Sequence, residues 1–207
     1  MDFNILVNNG YKFDSILDVG AHAGTFTFGC KKFYPNAYYY MIDGNPITEQ
    51  YVSKSGIDYK IAYLSDTVKE TVVYKTKHNS FNTGDSLYRE NTRYYNDESV
   101  IKQNIKTTTL DEIFKNEKTF NFIKIDSQGS EMDIINGGLE MCKRADVFLL
   151  EASVYPYNTG APMLNMLQPF MAELGFPFTK IVSDIHHPDH REILIQHDIL
   201  FSKRSII

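Results

Sequence analysis

A chain of 207 residues is long enough to bury a substantial core, and its length fits one domain spanning residues 1–207. A hydrophobic share of 43% and a charged share of 23% are ordinary for a globular protein, and a net charge of −5 leaves no basic footprint for nucleic acid or an anionic membrane. No basic start followed by an apolar core precedes Gly10 and no later run approaches the length of a membrane span, so the expected location is the cytoplasm.

Strands are predicted over Ser15–Val19, Ala37–Ile42, Asp58–Leu64, Phe120–Ile125 and Val147–Glu151, with segments of helical period between most of them. That alternation is the pattern of a sheet covered by helices on both faces. The first strand runs directly into a turn bracketed by Gly20 and Gly24, where a ligand can approach the backbone without meeting a Cβ. A dinucleotide fingerprint would carry its second glycine two positions after Gly20, where a helix N-terminus receives a pyrophosphate. His22 stands there instead and argues against a phosphate cradle. The helix Thr25–Tyr34 follows, with Phe26, Cys30, Phe33 and Tyr34 at helical spacing and Pro35 at its end. The second strand closes on Asp43 ahead of the turn Gly44-Asn45-Pro46. Asp43 lies 25 residues after Asp18, near the spacing of about 20 that separates a glycine turn from a ribose-binding acid.

Residues 79–103 are polar, contain Tyr88, Tyr94 and Tyr95, and read either as a lid over a site or as an insertion whose tyrosines pack on the surface. Capping boxes at Thr109/Glu112 and Ser130/Asp133 start two helices, the second burying Met132, Ile135 and Leu139. Met163–Leu174 reads as a helix closed by Gly175, and Phe178–Val182 with Ile193–Phe201 as a late hairpin whose last strand runs antiparallel. Cys30 and Cys142 have no metal-ligand spacing and read as reduced, buried thiols. The run His186-His-Pro-Asp-His190 carries ligand-type residues, but it falls in a hairpin loop without i, i+4 spacing and reads as a solvated turn; no metal is expected.

The densest block is Lys124-Ile-Asp-Ser-Gln-Gly-Ser-Glu131, continuing to Gly137-Gly138. With Leu17-Asp-Val-Gly-Ala-His-Ala-Gly24, Thr109-Leu-Asp111 and His197-Asp-Ile-Leu-Phe201, it resembles the FkbM family of S-adenosylmethionine (SAM) dependent methyltransferases, from Ile16 to Phe201. The resemblance implies an α/β, Rossmann-like class I methyltransferase fold, with a mostly parallel seven-stranded sheet, an antiparallel last strand and helices on both faces. It also implies SAM as cofactor, S-adenosylhomocysteine (SAH) as product, and transfer to a hydroxyl oxygen of a sugar, glycan or small metabolite. Where the family usually has Glu-Pro after the second strand, this chain has Asp43-Gly44, which keeps the carboxylate and shortens its reach by a methylene.

Ligands of open α/β sheets lie at the carboxyl ends of the strands, so Asp18, Asp43, Asp126 and Glu151 are expected to converge on one crevice that suits a sulfonium. The expected cofactor contacts are Asp18, Gly20, His22, Gly24, Asp43, Gly44, Tyr63 and Asp126. An alcohol acceptor is a weak nucleophile and needs a base. Asp126 is the first candidate, followed by Glu131 and Glu151, with His22 behind them. Each has a structural alternative: Glu131 complements a helix dipole, Glu151 is satisfied by neighbouring backbone, Lys124 pairs with an acid, and Gln128 holds the glycine turn. The acceptor is expected to meet residues 79–103 and the loop carrying Tyr155, Tyr157 and Asn158. Two rival functions stay open: a nicotinamide-dependent oxidoreductase, against which His22 stands, and a non-catalytic module that kept the cofactor pocket.

Overall fold

The computed structural model describes residues 1–77, 84–115 and 118–207; residues 79–83 of the expected lid lie outside the described residues. Nine strands are found among them: β1 Ser15–Val19, β2 Tyr38–Asp43, β3 Asp58–Ile61, β4 Glu70–Thr76, β5 Val100–Lys106, β6 Phe122–Ile125, β7 Val147–Ser153, β8 Phe178–His186 and β9 Leu194–Ser202. The helices are α1 Asn4–Asn8, α2 Thr25–Lys31, α3 Glu49–Val52, α4 Leu110–Phe114, α5 Glu131–Asn136, α6 Leu139–Cys142 and α7 Leu164–Glu173. Seven strands form one sheet in the order β3-β2-β1-β6-β7-β9-β8. β1 pairs in parallel with β2 and β6, and β9 runs antiparallel to both β7 and β8. The order reverses at β1, so the crevice above β1 and β6 is the switch point where such sheets receive ligands.

Strand alternation divides the core into two layers. Leu17, Val19, Ile123, Ile125, Phe148, Leu150, Ile199 and Phe201 pack on one face with α5 and α7. Ile16, Phe122, Val147, Leu149 and Leu200 pack on the other, beneath Phe3 and Leu6 at α1 and Phe26 and Cys30 of α2. The central strands are buried on both faces, which explains their near-continuous apolar runs. Cys30 and Cys142 are both free and buried.

Several local expectations are corrected. The helix after the glycine turn stops at Lys31, and the third strand stops at Ile61, with Leu64 making only an isolated bridge to Thr108. Thr109 caps its helix by accepting the Glu112 N–H at 3.0 Å, whereas the Ser130 hydroxyl caps nothing. β4 was not anticipated, and β5 begins inside the segment read as a loop; the two pair as a separate antiparallel ribbon. Ser86 exchanges backbone hydrogen bonds with Tyr74 of β4, which leads residues 84–90 down from the ribbon onto the sheet's switch point.

Candidate active site

The glycine turn is built by contact as much as by conformation. Gly20 has φ +71°, and a Cβ there would sit 1.8 Å from the Asp126 carbonyl oxygen, so the ends of β1 and β6 meet only because this side chain is absent. His22 and Gln128 are non-glycine residues with positive φ, at 48° and 52°. Both line the cavity above this junction, where backbone strain is held by surrounding bonds. The His22 N–H donates to Asp43 Oδ2 at 2.7 Å, and the Asn45 N–H donates to Asp43 Oδ1 at 2.8 Å. The carboxylate that ends β2 is therefore fixed at both oxygens, each of which retains a lone pair for a ligand.

That cavity encloses about 290 Å³. Gly20, His22, Asp43, Gly44 and Tyr63 line one part, Asp126, Gln128 and Glu151 another, and Asp85, Ser86 and Leu87 of the covering segment contribute a third wall. Gly44 has a specific reason to be glycine: a Cβ there would lie 2.5 Å from the Tyr63 ring, which closes over the turn in its place. Lys75 stands 5.7 Å from the centre of the same ring and pairs with Asp85 at 3.1 Å, tying the ribbon to the site. The Ser86 hydroxyl donates to the Gln128 carbonyl at 2.7 Å, and the Tyr88 hydroxyl to Asp133 at 2.8 Å.

A second cavity of about 520 Å³ opens on the α1–α2 face. Its floor follows from strand alternation: Lys124, Glu151 and Asp198 stand two positions from Phe122, Leu149 and Leu200 of that face's core, as the fully buried Asp18, which lines neither cavity, stands from Ile16. Lys124 Nζ lies 3.2 Å from Asp18 Oδ1 and 3.5 Å from Asp126 Oδ2, and donates to the Gly20 carbonyl at 2.9 Å. Burial works to discharge Lys124, but Asp18 and Asp126 overcome it and hold the ammonium protonated. Burial pushes the Asp18 carboxyl up, against the pull of Lys124 and of the Thr27 hydroxyl, which donates to it at 2.7 Å. Glu151 Oε2 accepts from both Gln128 and Gln196, each at 2.8 Å. Burial first, then the Asp126, Glu131 and Asp198 carboxyls, drive Glu151 well above the usual carboxylate range.

The family model of the methyltransferase FkbM domain matches residues 18–178. The chain belongs to the FkbM methyltransferase family. No curated protein matches it significantly. Among solved structures, the precorrin-6y C5,15-methyltransferase of Geobacter metallireducens GS-15 is 11% identical with a TM-score of 0.52, over 97% of this chain and 86% of that one. The METTL16 methyltransferase domain is 10% identical with a TM-score of 0.51, over 98% of this chain and 64% of that one. At such identities the likeness shows the fold. It is the class I methyltransferase fold, and the cofactor of this FkbM methyltransferase is SAM.

The donor set fits that cofactor. The first cavity offers carboxylates to hydroxyls and amines, and its neighbouring cation Lys124 is already engaged, so it suits a sulfonium and an ammonium and repels a pyrophosphate. Three of the four acids expected to converge, Asp43, Asp126 and Glu151, line this cavity. Asp18 does not: at 0% exposure it lies behind the turn as the partner of Lys124. Gly24 lines neither cavity and serves as the left-handed cap of α2. Glu131 lines neither as well; its Oε1 accepts the N–H groups of Ser127 and Gly129 at 2.9 and 3.2 Å, shaping the turn after β6. Glu151 is held by side-chain amides rather than by backbone. Asp85, Asp198 and Gln196 were not singled out; alternation from Leu200 is the signal that places the last two on the charged face.

Tyr157 and Asn158 line neither cavity; they are buried under residues 88–91, where the Asn158 amide donates to the Tyr88 carbonyl at 3.1 Å. In the His/Asp/Pro loop, His187 Nδ1 accepts the Asp189 N–H and Asp189 pairs with Arg93 at 2.8 Å. Among the described residues, no three His, Cys, Asp or Glu side chains are gathered as a metal would need, and no helix is long and apolar enough to cross a membrane.

Burial pushes the Glu131 carboxyl up from 4.5 to about 7, against the N–H groups that favour its charge. Between those values the folded chain holds a proton that the unfolded chain releases, so this group's contribution to stability falls as pH rises through the window, by about 3 kcal/mol in all. Glu131→Gln keeps an acceptor for both N–H groups and carries no titrating proton. Denaturation curves from pH 4.5 to 7 are expected to show the wild type losing stability relative to that variant; parallel profiles would contradict the burial account.

Proposed function

We propose that this chain transfers the methyl group of SAM to a hydroxyl oxygen of a sugar, glycan or small metabolite, with the adenosine in the cavity between Asp43 and Tyr63. The observation that carries this reading is the placement of a doubly anchored carboxylate, Asp43, beside the glycine turn at the switch point. Asp43 accepts hydrogen bonds from the ribose hydroxyls, Gly20 and His22 present backbone, and Tyr63 over Gly44 bounds the cavity at β3. Asp18, Gly24 and Glu131 act from behind: Asp18 fixes Lys124, Gly24 starts α2, and Glu131 holds the turn that presents Asp126 and Gln128.

SAM supplies an electrophilic methyl on a sulfonium; transfer to an alcohol leaves a thioether and releases the alcohol's proton. Glu151 is the base of this reading. Gln128 and Gln196 grip its Oε2, no hydrogen bond from the described residues reaches its Oε1, and it stands where the two cavities meet, within reach of an acceptor hydroxyl beside the sulfonium. Asp126, beside Lys124 at the mouth of both cavities, stabilises positive charge next to it and is the second candidate for the base.

The test is calorimetric titration of SAH into wild type and Asp43→Ala. Loss of charge-assisted hydrogen bonds is expected to weaken binding by about 1.5–3 kcal/mol, roughly ten- to a hundredfold. An unchanged affinity removes the ribose assignment.

A further inference from the structure

Resting on that reading, we propose that the methyl acceptor binds in the second cavity, between α2 and the charged end of the sheet. We further infer that it presents a hydroxyl or ammonium, not an anionic group, on an apolar body.

The two cavities share four lining residues, Gly20, His22, Asp126 and Glu151. A group passing from one cavity to the other crosses that junction, and the proposed base stands in it. The second cavity, at about 520 Å³, has room for the body of a small molecule. Phe3 and Phe26, with ring centres 5.4 Å apart, provide an apolar wall. Opposite them the floor carries the carboxyls of Glu151 and Asp198. Glu151 is 9% exposed, and both hydrogen bonds that it receives from the described residues fall on Oε2. No hydrogen bond from the described residues reaches Asp198, which pairs in register with Glu151 across β7 and β9. Carboxyl oxygens that face a cavity and receive no such bond are open to a ligand hydroxyl or ammonium.

The same wall disfavours anions. Its one lysine, Lys124, is engaged by Asp18, Asp126 and the carbonyls of Val19 and Gly20. The other titratable side chains that reach this wall from the sheet are the carboxyls of Asp126, Glu151 and Asp198. A phosphate or carboxylate on the acceptor would meet these acids and no unengaged lysine. Asp85, Ser86 and Leu87 of the covering segment wall the first cavity and do not reach the second.

Three matched probes test this: benzyl alcohol, benzylamine and benzoate, followed by saturation-transfer NMR with SAH-saturated protein. The alcohol and the amine are expected to bind and to displace each other, with benzoate at least about tenfold weaker. Thr25→Trp, which sets an indole at the cavity mouth from an exposed position on α2, is expected to abolish binding of both. Gly29→Leu, filling the cavity one turn further along α2, is expected to do the same while SAH still binds. Equal binding of benzoate, unchanged binding in both variants, or no binding of any probe overturns the proposal. Calorimetry with SAH separates the two readings: probes that bind to a protein with no affinity for SAH contradict the cofactor assignment alone.

Discussion

Replacing Lys124 by methionine is expected to lower the unfolding free energy by about 3–5 kcal/mol, the cost of leaving a buried charge without its partner. Asp18 is 0% exposed, and among the described residues its carboxylate is met by the Thr27 hydroxyl and this ammonium, 3.2 Å away. The same ammonium ties down the carbonyls of Val19 and Gly20, so its loss also loosens the turn that leads into the site. The double variant Asp18→Asn with Lys124→Met removes both charges, keeps an acceptor for the Thr27 hydroxyl, and is expected to regain much of the loss. Urea denaturation of wild type, single and double variants measures the coupling. A single-variant loss below about 1 kcal/mol would show that the pair is no more than a surface-type contact.

Gly20→Ala is expected to be at least as damaging, by more than about 3 kcal/mol, because it combines a left-handed backbone with a collision. The added Cβ would sit 1.8 Å from the Asp126 carbonyl oxygen, a backbone atom that cannot turn aside. Gly56 is the control: its φ is +69°, yet a Cβ there meets nothing within 4 Å. Gly56→Ala therefore carries the conformational cost alone, about 1–2 kcal/mol. The difference between the two variants, read from denaturation midpoints, is the cost of forcing β1 and β6 apart. Equal losses would mean that the contact is unimportant and that conformation alone selects glycine at position 20.

The central sheet was legible because β1, β2, β6 and β7 each read as an apolar run of strand length, and the first three run into turns that carry Gly20, Gly44 and Gly129. The ribbon was not. β5 shows Lys102, Gln103 and Asn104 to solvent, so its polar sequence reads as loop, and β4 gains its partner only through that unrecognised strand. Asp43, Asp126 and Glu151 lie at or near the carboxyl ends of β2, β6 and β7, and the structure brings all three to the lining of the cavity there. Asp18 stands one residue before the end of β1, but Lys124 on the neighbouring β6 pairs with its carboxylate beneath the turn. Pair partners of this kind depend on register, which a single sequence does not reveal. Glu131 shows the same limit in a helix: its place in the first turn suggested a dipole partner, while its actual bonds run back to Ser127 and Gly129. Asp85 reaches the cavity by way of the ribbon, so no local signal around residue 85 could have placed it there.

The most direct measurement is a crystal structure of the protein with SAH. The account places the ribose hydroxyls on Asp43, the base beside Tyr63, and the sulfur at the junction of Gly20, Asp126 and Glu151, facing the second cavity. Density for the ligand on another part of the sheet, or a ribose turned away from Asp43, would contradict it.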